Sequence, residues 1–216
     1  MIPGIVLAAG DSSRMGRPKA LLSIGPDGES FLHRIARVLR EGGVEEVLVV
    51  LGRDADVIRA ATPIAPHEMR LIDNKDYEQG QLSSLLAGLR ACDRPGVRAV
   101  LVTLIDVPLL SAETVKALLN AYHHAGGAPI VRPTKQGRHG HPVIFDRAVF
   151  QELRHADPAT GAKSVVHAHR ADTLEVEIAD EGSFIDIDTP ADYEKFVLHG
   201  GPEVPRRGGR AAGTPL

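Results

Sequence analysis

The 216-residue chain has a single cysteine, Cys92, and no tryptophan. A lone cysteine cannot close an internal disulfide, and without cysteine pairs zinc ribbons and iron–sulfur clusters are excluded. Aromatic residues amount to 4%, few platforms for stacking bases, and 25 basic residues face 28 acidic ones for a net charge of −3. Both facts argue against a nucleic-acid partner. No apolar run approaches the roughly 20 residues of a membrane helix, so no membrane partner is expected. Met1-Ile2-Pro3-Gly4 lacks a basic leader region and runs directly into a strand-like segment, and a cytoplasmic location is expected. The hydrophobic (43%) and charged (25%) fractions match soluble globular chains rather than disordered or fibrous ones.

Glycine and proline, by contrast, are plentiful at 22 and 15 residues, and their placement organises the chain. Residues 4–9 form a short apolar run that stops at Gly10, the pattern of a strand buried on both faces. Ser30 caps a predicted helix carrying Phe31, Leu32, Ile35, Val38 and Leu39 at helical spacing, before Gly42-Gly43. The alternation continues with strands at 46–51, 69–73 and 98–104 and helices at 54–61, 80–91 and after Ser111. Such βαβ repetition predicts an α/β fold, doubly wound around a mostly parallel sheet. After Gly126-Gly127 the strands shorten (129–132, 142–145, 174–177 and 184–187), which predicts a small antiparallel insertion bearing substrate contacts. Thr189-Pro190 starts a last helix ending near Leu198. One folded domain is expected over residues 1–198, and a disordered tail over 199–216, where glycine, arginine and proline leave almost nothing apolar.

The most informative segment is the loop that leaves the first strand, from Leu7 through Ala8, Ala9, Gly10, Ser12, Arg14 and Gly16 to Lys19. Open parallel sheets bind ligands at the carboxyl ends of their strands. Small residues there let backbone approach a flat base or a phosphate, free N–H groups can donate to phosphate oxygens, and Arg14 and Lys19 add two cations. The segment suits a polyanion. It is neither GxGxxG nor GxxxxGK[ST], so neither a dinucleotide fingerprint nor a P-loop is indicated. An ordinary strand-to-helix loop with surface charges is the alternative.

Residues 7–19, LAAGDSSRMGRPK, resemble the signature LAAGxSxRMGxxK of the MobA-like group of molybdopterin nucleotidyltransferases, and most closely the molybdenum cofactor cytidylyltransferases. The resemblance extends over about residues 2–197. It implies the nucleotide-diphospho-sugar transferase type of fold and a nucleotidyltransferase that moves CMP from CTP to the phosphate of a molybdopterin-type cofactor, releasing pyrophosphate. Ala8-Ala9-Gly10 is similar to the cytidylyltransferase form, whereas guanylyltransferases more often carry Ala-Gly-Gly. In this reading Lys19, Arg14 and Asp106 are catalytic, Lys19 and Arg14 hold the leaving phosphates, and the turn at 8–10 takes the base.

The chemistry so implied needs Mg²⁺, and carboxylates at strand ends are the hard oxygen ligands it prefers. Asp106 follows the strongly apolar strand and precedes Val107-Pro108, where the family has Asp-Met-Pro; a plain turn residue is the alternative. Asp188, in Asp186-Ile187-Asp188-Thr189-Pro190, is similar to the family's closing motif, although any capped helix would also place Asp or Thr before Pro. Asp106 and Asp188 are the expected Mg²⁺ ligands, and Asp186, on the same side of an extended segment as Asp188, can stand in for it.

Asn74, Gly80 and Ser83 lie on a strand-to-helix loop whose polar groups can read a base or hold a ribose, and helix capping explains them equally. The family's similar Asn and Gly-x-x-Ser imply a nucleotide-side role. Arg132, Arg138 and His141 suit a phosphate-bearing acceptor, and Gly140-His141-Pro142-Val143 resembles the stretch that faces the pterin substrate. Zinc at His139 and His141 is rejected for want of a nearby partner ligand. His123, His124 and 167–169 are read as surface residues, and Gly161-Ala162-Lys163-Ser164 either as an acceptor-phosphate motif that the resemblance suggests or as a plain helix start. A molybdenum enzyme is the expected recipient of the product. Three alternatives remain: a GTP- or sugar-phosphate-type nucleotidyltransferase, a pyridine-nucleotide-dependent reductase of similar sequence that acts on a pigment, and a non-catalytic accessory protein.

Overall fold

The computed structural model describes residues 1–10, 12–62 and 68–199. The expected tail therefore lies outside the described residues, except for His199. The chain opens with β1 (Gly4–Ala8), a short hairpin of β2 (Ser23–Ile24) and β3 (Glu29–Ser30), and helix α1 (Phe31–Glu41). It continues through β4 (Val47–Leu51), α2 (Ala55–Ala61), β5 (Arg70–Asp73), α3 (Gln81–Cys92), β6 (Ala99–Leu104) and α4 (Ala112–Ala125). The second part holds β7 (Ile130–Lys135), β8 (Arg138–His139), β9 (Val143–Asp146), α5 (Phe150–His155), α6 (Ala162–Ala168), β10 (Thr173–Glu177) and α7 (Pro190–Tyr193).

The main sheet runs β10-β7-β9-β6-β1-β4-β5, with β8 added to β7. Strands β6, β1, β4 and β5 are mutually parallel, β10 is parallel to β7, and β9 lies antiparallel between β6 and β7. The mostly parallel α/β sheet with a small antiparallel insertion is thus present. The central strands are apolar except for the buried Thr103 of β6 because both faces are covered, and successive side chains serve opposite cores. Val6, Val49 and Leu101 face α1 and α4 through Phe31, Ile35, Leu39, Val115 and Leu118. Ile5, Leu48, Val50 and Val100 face α3, α5 and α6 through Leu85, Leu89, Phe150, Leu153 and Val165. The predicted caps form: Ser30 accepts from the His33 N–H, Ser111 from the Thr114 N–H, and Thr189 and Asp192 make a reciprocal capping box.

The predicted strand at 184–187 does not form. Gly182–Phe184 is a 3₁₀ turn, and the extended chain after it makes no ladder. Its polar groups are committed elsewhere. The Ile187 N–H donates to the Asp106 carbonyl (2.7 Å), the Ser183 carbonyl accepts from the His141 N–H (2.9 Å), and Asp180 accepts from the Ser111 N–H and the Thr114 and Ser183 hydroxyls. The closing segment is therefore strapped across the ends of β6 and β8, which brings Asp188 back to the carboxyl end of β1. Sequence periodicity also missed the β2–β3 hairpin and β8, each strand being only two residues long.

Candidate active site

Lys19 is the centre of the first site. It begins a 3₁₀ turn (Lys19–Leu21), its N–H donates to the Ser12 hydroxyl (3.1 Å), and its side chain turns inward and is only 8% exposed. The ammonium lies 2.5 Å from Asp188 Oδ1 and 3.6 Å from Asp106 Oδ2, while Arg14 reaches Asp188 Oδ2 at 3.3 Å. Two cations from the glycine loop and two carboxylates from two distant stretches thus meet at the wall of a cavity of about 570 Å³. The turn that carries Asp106 is held from below by Arg34 of α1, whose Nε donates to the Pro108 carbonyl (2.8 Å) from a buried position. Sequence reasoning passed over Arg34, which sits within an otherwise apolar helical face.

The two carboxylates differ in character. Burial pushes the Asp106 carboxyl above its usual range; Lys19 opposes this, while Asp186 and Asp188 add to it. Its Oδ1 is buried with no hydrogen-bond partner. Asp188, more open, is held below the usual range chiefly by its hydrogen bond from Lys19. A desolvated carboxylate oxygen with a vacant lone pair beside an ionised carboxylate is a hard donor set.

Leu7, Ala9, Gly10, Ser12, Arg14 and Lys19 line this cavity together with Asp106 and Asp188. Ala8 is buried in the sheet, and Gly16 lies in the loop but not in the wall. Gly80 lines it with φ at +92°, a conformation that favours glycine. Asn74 and Ser83 stand behind the wall. The Asn74 amide donates to the Ser83 and Ser84 hydroxyls (2.8 and 3.1 Å) and accepts from the Asp76 N–H (3.0 Å), so both residues shape the loop and Ser84 reaches the cavity. Sequence reasoning missed Arg53, Tyr77, Glu78 and Gln81 of the same wall. The signal available was their position just after β4 and β5, at the ligand-binding edge. Gly52 permits the approach, since a Cβ there would lie 2.7 Å from the Ala9 carbonyl and from Tyr77 Cβ.

A second cavity of about 1070 Å³ adjoins the first, sharing Leu7, Gln81 and Leu104. Cross-strand register builds its floor from Val102 of β6, Val143 of β9, Arg132 of β7 and Glu175 of β10. Of the acceptor-side residues, Arg132 and His141 line it. The Arg132 guanidinium is tied to Glu175 (2.6 Å), which His139 also approaches at 2.9 Å. His141 is pressed toward the neutral imidazole by burial, with Asp186 opposing, so it offers a hydrogen bond rather than a charge. Arg138 points away and pairs with Glu181 (2.9 Å) over the Phe184 ring. Lys163 and His167 line this cavity, and both are exposed, so His167 is the surface residue expected, placed at the rim of a cavity. Among the described residues no cluster of three or more His, Cys, Asp or Glu forms a metal cage, and no helix is long and apolar enough to cross a membrane.

Two joined cavities at the carboxyl edge of a mostly parallel sheet, one walled by a glycine loop with paired cations and carboxylates, define an α/β protein of the nucleotide-diphospho-sugar transferase type. The chain belongs to the MobA-like NTP transferase domain family, whose model matches residues 4–173. It is 31% identical over 201 residues to the probable molybdenum cofactor guanylyltransferase of Mycobacterium avium, covering 91% of this chain and 95% of that one. It is 30% identical over 195 residues to the nicotine blue oxidoreductase of Paenarthrobacter nicotinovorans, covering 87% and 92%. The crystal structure of Rv0371c from Mycobacterium tuberculosis matches with a TM-score of 0.76 at 28% identity, covering 90% and 96%. The same protein in complex with manganese matches at 0.70 and 26%, covering 91% and 97%.

Proposed function

We propose that this protein transfers CMP from CTP to the terminal phosphate of a molybdopterin-type cofactor and releases pyrophosphate. The observation that carries the reading is the meeting of Lys19, Arg14, Asp106 and Asp188 at the glycine loop, beside a second cavity large enough for an acceptor. An oxygen of the acceptor phosphate attacks the α-phosphorus; the bond from that phosphorus to the bridging oxygen breaks, and pyrophosphate leaves with the electron pair. The nucleophile is already an anion, so the residues position and neutralise rather than move a proton. Lys19 and Arg14 take the β and γ phosphates, and the absence of bulky side chains at Ala9 and Gly10 admits the base. The unpartnered Asp106 oxygen and the ionised Asp188 fit a divalent cation, which typically takes one or two carboxylates and completes its shell with substrate phosphates and water. Asp106 and Asp188 would hold Mg²⁺, which when bound neutralises phosphate charge. The manganese complex of the Mycobacterium tuberculosis protein supports a metal here.

The molybdopterin acceptor is supported by the name of the Mycobacterium avium relative, which also points to GTP rather than CTP. The choice of CTP rests on Ala9, where guanylyltransferases more often have glycine. Pyrophosphate release should be measured with each of the four NTPs and Mg²⁺, with and without molybdopterin cofactor. Release with CTP that depends on the acceptor is expected; release with GTP alone overturns the base assignment.

The Paenarthrobacter relative favours one other reading, a pyridine-nucleotide-dependent reduction of a pigment-like molecule in the larger cavity. That activity needs neither carboxylate. Pyridine-nucleotide oxidation that persists in chelator and in Asp106→Asn would establish it in place of nucleotidyl transfer.

A further inference from the structure

Several basic groups at the two cavities are already compensated, Arg53 of the first cavity excepted, which lies over the Tyr77 ring at 5.8 Å and pairs with no carboxylate among the described residues. Lys19 and Arg14 face Asp188, Arg132 and His139 face Glu175, and Arg138 faces Glu181. The stretch around α6 is different. Lys163, Val166, His167 and Arg170 follow the i, i+3, i+4, i+7 spacing of one helical face, with Arg170 in the turn just past the helix end, and all four line the second cavity. Among the described residues, no hydrogen bond or ion pair engages the side chains of Lys163, His167 or Arg170. The neighbouring His169, off that face, is by contrast paired with Glu152 at 2.8 Å. Among the described residues Glu175 is the cavity's one acidic lining residue, and it is already shared by Arg132 and His139. The cavity therefore carries uncompensated positive charge on one wall, set against the apolar surface of Leu82, Leu85, Val143 and Phe145.

These residues line only the second cavity, whereas the junction with the first is made by Leu7, Gln81 and Leu104. On the nucleotidyl-transfer reading, on which this inference rests, the reacting phosphate of the acceptor must sit at that junction. We propose that Lys163, His167 and Arg170 form a second anion subsite, away from the reacting phosphate, which takes another anionic group of the acceptor. The preferred acceptor class is then a molecule with a phosphate at one end, an apolar or planar middle against Val143 and Phe145, and a second anionic centre. A singly anionic phosphate ester would leave this wall uncompensated. Arg and Lys cover different demands there: Arg170 offers a planar fork to paired oxygens or sulfurs, and Lys163 a point charge.

The test uses Lys163→Gln/Arg170→Gln, with Lys116→Gln on the exposed side of α4 as a control for net charge. Binding is read directly with 8-anilinonaphthalene-1-sulfonate, whose fluorescence rises in an apolar cavity and whose sulfonate needs a cation. Affinity is expected to fall about tenfold in the double variant and to lose most of its salt dependence, with Lys116→Gln unchanged. Turnover with CTP and molybdopterin cofactor should show KM for the acceptor raised about tenfold, with kcat and KM for CTP held. Lys163→Arg should retain wild-type values. Equal probe affinity in wild type and double variant overturns the subsite, as does a loss confined to kcat. If no NTP yields pyrophosphate while probe binding still collapses in the double variant, the subsite stands and the transfer reading fails.

Discussion

Asp106 stands between two demands. Its carboxylate is desolvated at the head of β6, one oxygen lacks any partner, and its pKa is pushed up by burial despite Lys19 nearby. A carboxyl whose native pKa exceeds its unfolded value takes up protons on folding, so its contribution to stability declines as pH rises from the unfolded value through the native one. At neutral pH the ionised group is a cost. Asp106→Asn is therefore expected to raise the melting midpoint in the absence of ligands and, on the proposed function, in which Asp106 holds the metal, to lower kcat by at least about 100-fold. A calorimetric scan beside the pyrophosphate assay checks both halves, and a lower midpoint would show that Lys19 outweighs the burial. His141 carries the opposite sign. Its native pKa lies below the ordinary 6.5, so stability falls as pH drops through about 6.5, where the unfolded chain takes up a proton that the buried imidazole resists. His141→Gln should flatten this acid limb between about pH 7 and 5 in urea titrations. An unchanged slope would assign the limb to other groups.

At the scale of elements, the closing segment decides how the site is assembled. Gly182 sits where a Cβ would lie 2.0 Å from the Leu109 carbonyl, and Gly140 where one would lie 2.2 Å from the Ser183 carbonyl. Backbone thus packs on backbone at both contacts, and neither neighbour can yield as a flexible side chain would. Gly182→Ala should cost about 1–3 kcal/mol and, by lifting the strap, weaken the pairing of Asp188 with Lys19. Chemical denaturation together with carboxylate NMR titration reads both effects, and a loss of stability with the Asp188 acidity intact would separate the strap from the site. This strap is also what the amino-acid pattern hid. The buried strands and capped helices were legible because each announces itself locally: Val47–Leu51 is an apolar run, and Ser30, Ser111 and Thr189 are caps. The glycine loop was legible because cations and small residues are adjacent in the chain. Alternation in 184–187 looked like a strand because an extended segment strapped to β6 and β8 has the same period as one in a sheet. Arg53, Tyr77 and, apart from Lys163 in its Gly161–Ser164 stretch, the α6 face were not legible, since they reach their cavities only through the packing of helices on the sheet.

The molecule as a whole carries a net charge of −3, yet on the proposed function its ligands are polyanions and a divalent cation. The reconciliation lies in the first cavity, where Lys19 and Arg14 balance Asp106 and Asp188. A nucleotide arriving alone draws the cations toward its phosphates and leaves a desolvated carboxylate uncompensated. A metal ion arriving alone meets carboxylates whose charge the cations already balance, although one Asp106 oxygen is unpartnered. Together they exchange partners, cations to phosphates and carboxylates to metal, so each ligand should strengthen the other, and by linkage to the same degree. Thermal shifts with 1 mM CTP in chelator, with 1 mM Mn²⁺, and with both should therefore be strongly non-additive. A coupling of about tenfold corresponds to about 1.4 kcal/mol, or roughly 3–6 °C beyond the sum of the separate shifts for a chain of this size. Lys19→Met supplies the decisive comparison. With Asp106 and Asp188 relieved of the ammonium, Mn²⁺ alone should bind more tightly than to the wild type, by electron paramagnetic resonance, and the excess shift with CTP should shrink. Additive shifts in the wild type, or weaker Mn²⁺ binding in Lys19→Met, would mean that the four charges act as separate contacts and that Lys19 holds the carboxylates in place for the metal rather than competing with it.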